Sequence, residues 1–176
     1  MKSPIRTWSL LVAGFAIATG ALSAQSATGT VNASATVLAV LNVTQVSDVA
    51  FGSLTPGSAA SLTPGAAPGA GQTLGVLRID HNSDVIVAAS VPADLTLSGA
   101  PNLPVSFTCG YSAAVSGALD SATSACNAIA NRTGLGTGAA RTSFVQVGGA
   151  ILAANTVGRM PGTYTGSIVF TMTATY

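Results

Sequence analysis

"PGTYTGSIVFTMTATY", residues 161–176, alternates bulky and small polar residues almost without interruption. Tyr164, Ile168, Phe170, Met172 and Tyr176 share one parity with Gly166 and Ala174. Thr163, Thr165, Ser167, Thr171, Thr173 and Thr175 share the other with Val169. Successive side chains of a strand point to opposite faces, so this spacing predicts a strand with its large groups in a core and a Thr-rich row toward water. Full burial of each large apolar group contributes roughly 1.5 to 3 kcal/mol, which makes this strand an expected wall of the interior.

The same period of two recurs upstream. Val31, Ala33, Ala35 and Val37 alternate with Thr30, Asn32, Ser34 and Thr36, which predicts a second half-buried strand. "VLAVLNVTQV" (37–46) continues it, and "DVAFG" (48–52) predicts a buried Phe51. Residues 52–72 repeat SLTPG eight residues apart and are rich in Pro and Gly, the pattern of a long flexible loop. "LGVLRI" and "VIVAASV" bracket "DHNSD" (80–84) and read as a hairpin with a polar turn. "LPVSFTCGY" (103–111) reads as a strand with Phe107 inward, and "RTSFVQVGGAILA" (141–153) as a hairpin folded at Gly148 and Gly149. These are seven to nine strands with no helix long enough to cross over a sheet. Parallel pairing needs such crossovers, so the fold class is all-β, an antiparallel immunoglobulin-like β-sandwich.

Composition narrows the function classes. Lys2 and Arg6, the apolar run Trp8–Leu22 and the small residues of "LSAQSA" form the pattern of a secretory signal peptide, placed at 1–26, which leaves one domain at 27–176. The apolar run is shorter than the roughly 20 residues that span a bilayer, so no membrane insertion is expected after its removal. Beyond it stand four arginines and five aspartates, with no Lys and no Glu. Charged residues are 6% of the chain, against about 25% in ordinary soluble domains, so repulsion between copies is weak and self-association is favoured. There is no basic stripe to displace counterions from phosphates, which excludes nucleic acid as a partner.

Cys109 and Cys126, in a chain marked for export, predict one disulfide that ties off the loop 109–126. Catalytic sets are missing. The aspartates are scattered, His81 is the only histidine and no GxSxG elbow occurs, so the chain reads as a non-enzyme without a cofactor. Asp80, Asn82 and Asp84 match the first half of a calcium loop. Val85 stands where that loop wants Gly and no Glu completes it, so the stretch reads as a turn whose short side chains bond their own backbone.

"FVQVGGAILAANTVGRMPGTYTGSIVFTMTATY" (144–176) and "SDVAFG" (47–52) resemble domain of unknown function 4402, a family of secreted bacterial proteins with a VGG-x-L segment, an aGtYtG turn and a final strand closed by an aromatic. That likeness covers most of 27–176 and implies export with no assigned activity. The ending also resembles spore coat protein U and the pilin subunits assembled by chaperone and usher. In those proteins a Gly and an aromatic frame the last strand, parts that Gly162 and Tyr176 match here, and an N-terminal extension fills a neighbour's groove. The expectation is therefore a non-enzymatic secreted or cell-surface structural protein, fimbria-like, assembling with copies of itself or other surface subunits by strand addition. The donor would be Thr28–Val37 through Val31, Ala33, Ala35 and Val37; against this stands the plainer expectation that the stretch completes its own sheet. The alternative function is an extracellular binding module for glycan or a surface protein, working through the loops 52–72 and 110–140.

Overall fold

A computed structural model describes residues 32, 34–36, 38, 40–134 and 138–175; the leader at 1–26 lies outside the described residues. Thr36–Tyr176 forms one compact unit. Its elements are β1 (Leu41–Ser47), β2 (Ala60–Leu62), β3 (Gly75–His81), β4 (Asp84–Ser90), β5 (Asp94–Leu95), β6 (Leu103–Pro104), β7 (Ser106–Ser112) and β8 (Ser124–Ala125). A 3-10 turn at Cys126–Ala128, β9 (Arg141–Ile151), the one-turn helix α1 (Ala153–Thr156) and β10 (Val169–Thr175) follow. The ten strands among the described residues exceed the expected seven to nine because four of them are only two or three residues long. No helix among the described residues is long and apolar enough to cross a membrane.

All ladders are antiparallel. One layer has the order β1-β3-β9-β7-β8, with β2 also paired to β9. The other is built on β10-β4, extended by a bridge from Thr96 to Thr165 and another from Val85 to Arg132, with β5 and β6 as a separate pair. Ile79, Val145 and Val85 are fully buried in the shared core beside Leu62, Phe107, Tyr111 and Ile151. The expected hairpin at 74–91 is not one. β3 pairs with β1 and β9 while β4 pairs with β10, so Asn82 and Ser83 carry the chain from one layer to the other. Both strands present apolar residues on one face, and crossing over lets each bury that face against the other layer.

The double glycine does not turn either. β9 runs unbroken through Gly148 and Gly149, with β7 on one side and β3 then β2 on the other. A Cβ on Gly148 would collide with the Leu62 carbonyl and one on Gly149 with the Ser106 carbonyl. Glycine is required there by close backbone approach.

Residues 52–72 are more structured than a flexible loop. The two SLTPG copies make the same turn: Ser58 N–H donates to Thr55 O (3.0 Å) and Ala66 N–H to Thr63 O (3.1 Å). Gly57 and Gly65 have φ of 82° and 86°, the third position of a type II turn after Pro. Between the copies, Ala60–Leu62 joins the sheet as β2. Buried Gln146 on β9 ties this segment and the cysteine loop to the sheet. Its Oε1 accepts from Gly65 N–H (2.7 Å), and its Nε2 donates to Ser112 Oγ (3.0 Å) and Gly117 O (3.2 Å). Pairing of this kind is what a buried amide needs.

Candidate functional site

The C-terminal strand has the expected parity with a different depth. β10 begins at Val169, later than the alternation suggests, and Val169, Thr171 and Thr173 face solvent. Tyr164, Ile168, Phe170 and Met172 pack against the core but are half-buried, and Tyr176 lies outside the described residues. The reason is topological. Among the described residues, β10 is an edge strand whose ladder is with β4, and β1 is an edge strand whose ladder is with β3. A strand open on one side leaves its inward row without a neighbour to cover it.

Between these two edges the sandwich opens into a groove of about 910 Å³. Phe51, Leu77, Leu95 and Phe107 line it from within, Ile168 and Phe170 line it near the terminal strand, and Gln45 and Ser47 line it from β1. The Phe51 and Phe107 rings lie 6.1 Å apart and tilted by 52°, a filled apolar floor. Gly162, with φ of 153°, also lines the groove. Chemically the groove offers an apolar floor with Asp48, Ser53, Arg159 and Thr163 along it, flanked by β1 and β10, which have one ladder partner each among the described residues. That combination suits an extended segment, which supplies hydrogen bonds along the chain and an apolar side chain at alternate positions.

The proposed donor positions are only partly described. Val31, Ala33 and Val37 lie outside the described residues. Ala35, expected in a half-buried strand, is exposed and belongs to no strand, as do Asn32, Ser34 and Thr36. Pairing in the first layer instead starts at Leu41, opposite His81.

The residues of the calcium-like pattern do not converge. Asp80 Oδ1 accepts from Thr142 Oγ1 (2.6 Å) and pairs with Arg78 Nη2 (2.9 Å). The Thr142 bond first, then Arg78, holds its carboxyl below the usual carboxylate range. Asn82 turns toward β1: its Oδ1 accepts from Val40 N–H (2.8 Å) and its Nδ2 donates to Leu38 O (3.1 Å). Asp84 Oδ2 accepts from Gly134 N–H (3.1 Å). Three oxygen-bearing side chains aimed at three different segments do not form a cation shell, and among the described residues no cluster of three or more His, Cys, Asp or Glu is placed to hold a metal.

His81 is a buried structural residue. Its Nδ1 lies 2.7 Å from Ser83 O and so donates, and its Nε2 lies 3.1 Å from Ser143 Oγ. The partner that fixes the ring is a backbone carbonyl, and the bonds pin the turn between the layers.

Cys109 and Cys126 are joined and buried at the β7–β8 end of the first layer. Beside them Tyr111 is buried, its hydroxyl donating to Ala130 O (2.8 Å), with the Arg132 guanidinium 5.0 Å from its ring centre. Arg132 is also paired with Asp120, which closes the cysteine loop. Burial pushes the Tyr111 phenol up to about 12, against a smaller opposing pull from Arg132. A phenol whose folded pKa exceeds its unfolded value of about 10 stabilises the fold below pH 10 and loses that contribution as pH climbs toward 12. Ultraviolet titration of the three tyrosines should therefore show one phenol that ionises about two pH units late, together with unfolding. Early titration of all three would contradict this burial.

The groove was not legible residue by residue. Its lining comes from segments around positions 45–56, 75–77, 95–107 and 159–170, which the topology brings together. The one available signal was the alternation at the terminus, which identified the apolar row but not that β10 has a single ladder partner among the described residues. No curated protein and no solved structure matches the chain. A family model described as "Domain of unknown function (DUF4402)" matches residues 41–176, the span from the start of β1 to the end of the chain. The chain belongs to that family.

Proposed function

We propose that the protein is an exported, non-enzymatic structural subunit of a cell surface or extracellular assembly, and that copies associate by strand addition at the groove between β1 and β10. The observation that carries this reading is a pair of strand edges, β1 and β10, each with one ladder partner among the described residues, and the apolar-floored groove that lies between them. An exposed trough of this kind is a liability for a protein that stays alone and an asset for one that is completed by a partner. Low charge supports close contact between copies, since few like charges oppose it. The buried disulfide supports an oxidising destination. Recognition through the loop at 52–72 is the weaker reading, because β2 and the two turns commit that segment to the sheet.

Deleting residues 25–36 tests the proposal. The expected product is folded by circular dichroism and monomeric by light scattering, whereas the chain 27–176 forms multimers or filaments. An unfolded product would mean that the stretch completes its own sheet, and unchanged assembly would mean that it is not the donor.

A further inference from the structure

We propose that Asn82 is the residue that commits the N-terminal stretch Thr28–Val37 to the groove of a second copy and denies it the groove of its own chain. This inference rests on the strand-addition reading above. It adds the choice between neighbour and self, and a residue that makes the choice.

The argument begins with where the chain enters the domain. β1 starts at Leu41, opposite His81, so the N-terminal segment joins at the end of the sandwich where β3 passes into β4. β10 ends at the same place, since Thr175 pairs with Asp84. The groove is lined at the other end, by Gln45 to Phe51 on one side and Tyr164 to Phe170 on the other. For Thr28–Val37 to fill its own groove, the chain would have to reverse at about residues 38–40 and run back antiparallel to β1. A tight reversal needs residues that accept turn geometry, typically Gly, Asn, Asp or Pro. The sequence there is Leu38-Ala39-Val40, which has none of them.

A wider reversal stays open to these residues only while they are free of the sheet, and Asn82 takes that freedom away. Its side-chain amide accepts from Val40 N–H (2.8 Å) and donates to Leu38 O (3.1 Å), and its own backbone N–H donates to Val40 O (3.3 Å). A primary amide that accepts from one backbone group and donates to another imitates one rung of a strand. It therefore continues the β1 ladder past the last residue of β3 and holds Leu38 and Val40 in line with β1. Leu38 and Val40 are 75% and 54% exposed, so no packing of their own explains this order. The clamp does. With reversal opposed at 38–40, the alternating apolar row of Val31, Ala33, Ala35 and Val37 is directed to the same groove on another copy.

Three versions of the chain 27–176 test this: wild type, Asn82→Ala and Asn82→Asp. Asp keeps an acceptor for Val40 N–H and loses the donor to Leu38 O, so it is the gentler change. Each is measured by light scattering for mass, by circular dichroism for folding and by anilinonaphthalene sulfonate fluorescence for open apolar surface, with and without an excess of a synthetic peptide of residues 28–37. Wild type should be multimeric with dim dye, and the peptide should break it down to single copies. Asn82→Ala should be folded, dye-dim and of single-copy mass, because its own segment now fills its groove; Asn82→Asp should lose at least threefold in multimer fraction. If Asn82→Ala does not fold, the Asp variant decides, and an unchanged multimer fraction overturns the inference. Asn82→Ala multimers equal to wild type overturn it and leave strand addition standing. So does a single-copy wild type with dim dye, which means the segment already fills its own groove. Single-copy Asn82→Ala with bright dye also overturns it, since the residue would then only order the segment. A single-copy wild type with bright dye that the peptide does not quench removes strand addition itself.

Discussion

A chain ended after Ile168 should not fold. Among the described residues β10 is the one ladder partner of β4, whose other ties include the isolated Val85–Arg132 bridge, the Asn131 side chain on Val87 N–H (3.0 Å) and the Gly134 N–H on Asp84 Oδ2 (3.1 Å). Losing it removes the half-buried Phe170 and Met172, worth about 1 kcal/mol each at partial burial. It also removes a seven-residue ladder whose bonds contribute about 0.5 to 1.5 kcal/mol apiece. The sum is at least about 5 kcal/mol, the scale of the whole stability of an ordinary domain. Urea titration followed by circular dichroism should show no cooperative transition in the shortened chain. Phe170→Ala in the intact chain should keep the transition and lose about 1 to 2 kcal/mol, less than a fully buried Phe would cost, because the groove already leaves the ring half open. A loss of 3 kcal/mol or more would mean that the ring is covered in the folded protein.

Replacing both cysteines by alanine should give the second large effect. The bridge spans 17 residues, and closing a loop of that size stabilises the folded state by about 3 kcal/mol through the entropy it removes from the unfolded chain. Both sulfurs are buried, so the substitution also trims packing around Phe107 and Tyr111. With a urea slope of about 1.5 to 2 kcal/mol per molar, the midpoint should fall by about 1.5 to 2 M. A shift under about 0.5 M would mean that the Tyr111–Arg132–Asp120 cluster closes the loop without the covalent tie.

Glycine shows how sequence and structure divide the information. At Gly57 and Gly65 a Pro-Gly pair specifies a turn locally, and the turn is there in both repeats. At Gly148 and Gly149 the same residue type looks like a turn and is strand, because the determinant is the backbone of β2 and β7 pressing from either side. Nothing within ten residues of Gly148 encodes that. Asn82 behaves likewise: its place in a polar turn was legible, while its bonds to Leu38 and Val40, over forty residues away, were not.

By itself, the sequence determined that this is an all-β antiparallel domain, that its two cysteines form the available crosslink and that Ile168, Phe170 and Met172 lie on one face, because strand periodicity, turn chemistry and cysteine count are local properties of the chain. Only the tertiary structure decided that β3 and β4 part into separate layers and that, among the described residues, β1 and β10 have one neighbour each. Whether an apolar row ends in a closed core or along an open groove depends on which strands stand beside it, and that is a relation between segments far apart in the chain.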